Sequence, residues 1–257
     1  MVNNELMKRF LYILLILPFL LACSDEEQAI TNQSEGTLVL SELCRQQVIK
    51  SVVKTRSVVD TDLAIEILTS DSALYRDYRY AAGADLPEKF SLIPANYILH
   101  AYTENATSWS TDNNGRGSAV YEVRKEFNVQ PDWVTYLNVE VPMINYGVTY
   151  TLPEGFSKWF PTCEFTVSGD GRTCPLTSGQ AAFFDPANKE GFRFTLHLVN
   201  SDGEVYDIEE QTYENPKAGL LYNVQYSYSS DDDPTKLKIG ISYDDHYEEL
   251  VSEITLY

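Results

Sequence analysis

Positive charge is what this sequence has least of. Nineteen Lys and Arg stand against 38 Asp and Glu in 257 residues, a formal net charge of −19. So acidic a chain repels phosphate backbones, which excludes nucleic-acid binding, and it offers no polybasic patch to an anionic membrane. Histidine is nearly missing too. The three are His100, His197 and His246, and none has a neighbour at metal-ligand spacing. Four cysteines without a CxxC pair carry no zinc or thioredoxin-like signature. There is no Gly-x-Ser-x-Gly elbow, Walker loop or dinucleotide fingerprint. Paired carboxylates cannot single out a hydrolase, because 38 acidic residues make some pair at the right distance inevitable. Long apolar runs are absent except at residues 10–21, and 12 residues are too few to span a bilayer. The expectation is a non-enzymatic protein with no metal site and no cofactor.

That one run gives the address. Lys8 and Arg9 precede it, and it ends in Leu20-Leu21-Ala22-Cys23, a match to the bacterial lipobox. Residues 1–22 therefore read as a signal peptide and Cys23 as the lipidated first residue, with several acyl chains as the membrane anchor. Residues 23–35, opening with Ser24-Asp25-Glu26-Glu27, are too polar to bury and read as a flexible tether. The acidic residues after Cys23 resemble the surface-export signal of Bacteroidetes lipoproteins. The expected location is the outer membrane, with the body exposed on the cell surface. Of the other cysteines, Cys163 and Cys174 flank the turn Ser168-Gly169-Asp170-Gly171. They allow a short-loop disulfide in an oxidising compartment, or two free buried thiols.

What the body has in quantity is period-two alternation. Leu63, Ile65 and Ile67 share one face, as do Leu137, Val139 and Val141. The same pattern holds for Phe192, Phe194, Leu196 and Leu198, for Val224, Tyr226 and Tyr228, and for Leu237, Ile239, Ile241 and Tyr243. One buried and one wet face per strand is the pattern of antiparallel sheets stacked as sandwiches. Gly- and Asn-rich turns at Asn113-Asn114-Gly115, Ser168-Gly169-Asp170-Gly171 and Ser201-Asp202-Gly203 separate the runs. Only residues 70–81 and 178–184 have a helical look. The fold class is all-β, and more than one sandwich is needed for this length. The predicted division is residues 36–145 and 146–257, two tandem antiparallel β-sandwiches of immunoglobulin- or transthyretin-like form.

The lipobox, the acidic tether, the opening strand Gly36-Thr37-Leu38-Val39-Leu40 and Leu92-Ile93-Pro94-Ala95-Asn96-Tyr97 together resemble a family. It is an uncharacterised, domain-of-unknown-function family of gut Bacteroidetes surface lipoproteins, fimbrillin-like and of cell-adhesion type. Asn96 stands where that family usually carries glycine, and asparagine is the next-best residue for a left-handed turn. The resemblance implies paired sandwiches and an adhesive or fimbria-associated role, and it transfers no catalytic residue. Assembly by strand addition would then exchange the N-terminal strand, residues 36–43, or the C-terminal one, residues 250–257. Arg56 in Lys54-Thr55-Arg56-Ser57 is a candidate processing site.

A second reading is a glycan-binding lipoprotein of a polysaccharide-uptake system. Trp109 lies in a polar turn with Asn113 and Asn114. An exposed indole there can stack on a sugar or anchor a host protein; alternatively, it folds back over a sheet edge. Trp133 and Trp159 flank strands and are expected in the core. Asp71-Ser72-Ala73 matches a short O-glycosylation motif of exported Bacteroidetes proteins.

Overall fold

The computed structural model describes residues 34–46, 62–104, 109–187, 190–229 and 235–256. Cys23 and Arg56 lie outside the described residues, as do the signal segment and most of the tether.

Among the described residues sixteen strands, with little helix, form four sheets. In the first half, β1 (Gly36–Arg45), β4 (Phe90–Leu92) and β7 (Val134–Val141) make a three-stranded sheet in the order β4-β1-β7. It faces β3-β2-β5-β6, built from β2 (Ala64–Thr69), β3 (Leu74–Tyr80), β5 (Ala95–Tyr102) and β6 (Glu122–Val129). In the second half, β8 (Tyr146–Thr151), β9 (Thr162–Gly169), β10 (Arg172–Leu176) and β11 (Ala182–Phe184) are followed by β12 (Phe192–Val199) and β13 (Val205–Tyr213). β14 (Leu221–Tyr228), β15 (Lys236–Tyr243) and β16 (His246–Thr255) complete the chain. These strands form two further sheets, β10-β9-β12-β13 and β11-β8-β14-β15-β16. A single helical turn, α1 (Phe156–Trp159), sits between β8 and β9.

The alternation becomes two separate apolar clusters. Leu38, Leu43, Ile65, Ile67, Leu99, Leu137, Val139 and Val141 fill the first. Tyr146, Phe165, Phe192, Phe194, Leu196, Val224, Tyr226 and Ile239 fill the second. Each fully buried Leu, Ile or Phe contributes roughly 1.5–3 kcal/mol, so these faces set the register. The turns follow from their residues: Asp170 (φ 45°) and Gly171 (φ 81°) make the two-residue left-handed turn that suits a β9–β10 hairpin.

Three expectations need correction. Among the described residues two strand pairings are parallel, β1 with β7 and β8 with β14, and the others are antiparallel. Residues 70–81 are not helical; they form a hairpin turn and β3. Residues 178–184 are a turn closed by Gln180 N–H to the Thr177 carbonyl, followed by β11.

Candidate functional site

The loop carrying Trp109, Asn113 and Asn114 packs against Arg172 of β10. Trp109–Thr111 forms a 3-10 turn, and Asn113 (φ 52°) and Asn114 (φ 60°) then turn the chain through the left-handed region. The Asn113 side-chain amide donates to the Gly117 carbonyl at 2.8 Å, and Ser118 donates to the Asp112 carboxylate at 2.9 Å. Gly117 (φ 80°) lies against the indole, and a Cβ there would stand 3.1 Å from the Trp109 ring.

Arg172, on β10, holds this loop to the second sandwich. Its guanidinium lies 5.0 Å from the Trp109 ring centre and 5.1 Å from that of Phe184. Nε and Nη2 fork onto Asp170 at 2.8 and 3.0 Å. Nη1 donates to the carbonyls of Ser110 (2.9 Å) and Gly115 (3.0 Å), and Nη2 also donates to the carbonyl of Phe183. A guanidinium has five N–H donors, and all five are used. Beside it, Phe183 N–H donates to the Arg116 carbonyl at 2.7 Å. Asn145, 3% exposed, accepts from Val120 N–H, donates to the Ser118 carbonyl, and takes Gly219 N–H on its own carbonyl. Arg172 covers one face of the half-buried Trp109 indole and Gly117 lies against the ring, so the indole packs between the two halves.

Cys163 and Cys174 are free thiols. Cys174 pairs across the hairpin with Val167, and Cys163 is four residues farther along β9, roughly 13 Å away, well beyond disulfide reach. Burial raises both thiols, Cys163 to about 11.

The sequence reading missed an ionic cluster on β2, β5 and β6. His100, only 8% exposed, is flanked by carboxylates on both ring nitrogens: Glu66 at 3.2 Å and Glu122 at 2.9 Å. Arg79 Nε donates to Glu66 at 2.6 Å, and Tyr102 stacks on the imidazole with ring centres 4.4 Å apart. Period-two placement of Glu66 and His100 in facing strands was a visible signal, but their pairing was not. Among the described residues no group of His, Cys, Asp or Glu is arranged to hold a metal ion. Burial opposes ionisation of Glu66, yet the hydrogen bonds from His100 and Arg79 hold its carboxyl below the ordinary 4.5. A carboxyl lowered on folding stabilises fully above about pH 4.5 and loses that contribution as pH falls through its folded value. The stability gap between the native chain and Glu66→Gln should therefore be largest at pH 5–7 and shrink towards pH 3. Urea midpoints of both proteins at pH 7, 5 and 3 test this; a gap constant with pH would show that Glu66 acts only by packing.

Large aromatics are exposed elsewhere. Trp133 is 67% and Tyr136 70% exposed, and Trp159 on α1 is 56% exposed, against the core positions expected for both tryptophans. Trp133 still belongs to the β6–β7 turn, whose Asp132 has φ 59°, so it never joins the strand alternation. Tyr136 and Val134 lie on the outer face of β7, with Val39 opposite Tyr136 on β1. Ser72 of Asp71-Ser72-Ala73 is exposed at the tip of the β2–β3 hairpin.

β1, like β8 in the second half, lies between one antiparallel and one parallel neighbour. It is central in its sheet, antiparallel to β4 (Leu38↔Phe90) and parallel to β7 (Leu38↔Thr135), with a bulge between Leu40 and Glu42. Leu38 and Leu43 are completely buried. Its start is seated by Thr37 N–H on the Trp133 carbonyl (2.8 Å) and by Arg76 on Glu35 (2.8 Å). Ser91 also bonds Glu35, and these bonds lower its carboxyl below the ordinary value. Gly36 passes so close to the β6–β7 turn that a Cβ would collide with the Gln130 carbonyl oxygen and Val129. Its other end leads to Arg45, paired with Asp62 at 2.9 Å. Among the described residues no helix is long and apolar enough to cross a membrane.

A family profile described as Domain of unknown function (DUF4493) matches residues 34–257. No curated protein matches the chain. Among solved structures, similarity is found to a proposed cell adhesion protein of Bacteroides uniformis, with 10% identity and a TM-score of 0.49, covering 82% of this chain and 98% of that one. A second proposed cell adhesion protein, from Bacteroides eggerthii, gives 8% identity and a TM-score of 0.46, covering 84% and 97%. A fimbrial assembly protein of Parabacteroides distasonis gives 8% identity and a TM-score of 0.45, covering 84% and 98%.

Proposed function

We propose, starting from the fact that the chain belongs to the Domain of unknown function (DUF4493) family, that it is a non-enzymatic surface adhesin or fimbria-associated subunit. In this reading lipid on Cys23 anchors it in the outer membrane and residues 23–35 hold the sandwiches clear of the surface. The observation that carries the reading is the position of β1. A first strand that lies between two others of distant sequence, and gives Leu38 and Leu43 to the core, leaves on removal a slot with a free edge on each side. Unpaired backbone groups on both walls and an apolar floor make that slot a receptor for an extended segment of another chain. Chain-to-chain contact through such a slot needs no catalytic group.

The test is made on cells. Deleting the gene should reduce attachment to host-cell or bacterial surfaces several-fold, and an antibody to the second sandwich should label intact wild-type cells. Restoring the gene with Cys23→Ala should return the protein but not its surface retention. Normal attachment by the deletion strain would refute the adhesive role. Labelling only after lysis would refute the surface location.

A further inference from the structure

The outer face of the five-stranded sheet in the second sandwich carries a tyrosine laid flat. On β14 and β15 the buried positions are Val224, Tyr226, Ile239 and Ile241, so Asn223, Gln225, Gly240 and Ser242 face away from the core. Tyr247 on β16 stands opposite Ser242, and Gly240 is the next outward position on β15. A Cβ on Gly240 would lie almost equally close to Oη, Cζ and Cε2 of Tyr247, a set of distances that only a point off the ring plane can have. The ring therefore lies face down on the glycine, which is why Gly240 is buried although it faces outward. Tyr247 is 50% exposed, and its opposite face meets solvent.

Hydrogen-bonding groups without net charge surround this ring. Thr151 on β8 donates to the Asn223 side-chain carbonyl at 3.0 Å, and the Asn223 amide donates to Ser242 at 3.5 Å. These bonds fix which way the Asn223 amide points. Gln225 pairs with Gly240, one strand beyond the Tyr247 hydroxyl. Lys238 and Glu249, next along the outer face of β15 and β16, cancel each other in a chain of net −19. From β8 to β15 the face is roughly 10 Å across, two strand spacings.

This chemistry selects among ligands. A charged ligand finds no net attraction. A protein interface is built on a cluster of apolar groups, whereas among the described residues Tyr247 is the one exposed large apolar residue of this sheet. One open aromatic face among amides and hydroxyls suits a pyranose. Such a ring has an apolar C–H face to stack and a rim of neutral hydroxyls that donate and accept, as amides do.

We propose that this face binds a neutral glycan, with one sugar ring stacked on Tyr247 and its hydroxyls bonded to Asn223, Gln225 and Ser242. The proposal deepens the adhesive reading, on which its biological use rests, by naming the chemistry of what the protein attaches to.

The test is an array of neutral, sialylated and sulfated oligosaccharides, probed with the labelled full-length chain in a detergent that has no sugar headgroup. Binding to neutral members is expected, and the best of them is titrated calorimetrically against three variants. Gly240→Ala puts a methyl group where the ring lies; the exposed Tyr247 side chain swings aside, so the fold is kept and the platform is lost. Tyr247→Ala removes the ring outright. Both should bind at least about tenfold more weakly, the scale for losing one anchoring residue, with thermal midpoints close to that of the native chain. Tyr247→Phe keeps the stacking face and should bind within about threefold of the native chain. Silence across the neutral members, or binding confined to the charged ones, overturns the proposal. Undiminished binding by Gly240→Ala and Tyr247→Ala does so too, since the sugar would then sit elsewhere. If no glycan binds and deletion of the gene still reduces attachment, the adhesive reading stands with a protein as its target. If neutral glycans bind at Tyr247 and the deletion strain attaches normally, the site stands and the adhesive role falls.

Discussion

Replacing Arg172 with methionine should lower stability by about 3 kcal/mol, the scale for breaking a mostly buried ion pair by removing one partner. The side chain of Arg172 is 22% and that of Asp170 13% exposed, so solvent cannot take over the lost bonds cheaply. Methionine can keep the contact with Trp109 and Phe184, but it takes from Asp170 its ion-pair partner, leaving that carboxylate the Asp185 N–H, and it removes the donor to the carbonyls of Ser110, Gly115 and Phe183. At roughly 2–4 °C per kcal/mol for a chain of this size, the midpoint should fall by about 6–12 °C. Arg172→Lys should recover less than half, because an ammonium cannot fork onto Asp170 and reach three carbonyls together. Trp109→Ala should also lower the midpoint, by a few degrees, as the packing between the two halves is lost. A glycan platform at Trp109 predicts the reverse: an unchanged midpoint and lost sugar binding. Calorimetry on the three variants, with one sugar panel on Trp109→Ala, separates these outcomes.

The all-β class was legible because each sheet has one dry face. Phe192, Phe194, Leu196 and Leu198 are all at most 2% exposed, as their alternation required. Strand direction left no such mark, since alternation reads the same up or down the chain, and both parallel pairings went unseen. Residues 70–81 were misread for a definite reason. The hairpin with β2 slips register between Glu66 and Leu68, and Arg76 takes φ 51°, which brings Tyr75, Tyr78 and Tyr80 partly inside. Tyr75 and Tyr78 are three apart, which imitates a helical face. The Arg172 clasp was out of reach for another reason: its partners in the Trp109 loop are 57 and 62 residues away. Nothing local marks a long-range guanidinium site. Trp109 stood out in the sequence because it is large in a polar turn, but polarity of neighbours says nothing of what folds onto the ring.

The position of β1 leads to the second large effect. A single cut after Arg56 should leave the folded chain intact, because β1 stays in place by two hydrogen-bonded ladders and by the burial of Leu38 and Leu43. Unfolding the cut chain in denaturant separates β1 from the rest. On dilution the remainder should regain the second sandwich but not the first, whose core now lacks two leucines that would each cost about 2–5 kcal/mol if merely trimmed to alanine. Adding a synthetic peptide of residues 34–46 should restore the first sandwich. The same peptide with Leu38→Asp should fail, since a carboxylate would have to enter a site that is 0% exposed. Two-dimensional amide spectra, read on β4 and β7, follow both steps. Full refolding of the cut remainder without peptide would mean that β4 and β7 close on each other and that β1 is dispensable, which removes the slot. Recovery that depends on the peptide and on Leu38 would establish a slot that one chain can fill for another. The physical condition for exchange is then met: a strand whose loss opens a core, held by contacts that any chain of the same sequence can supply.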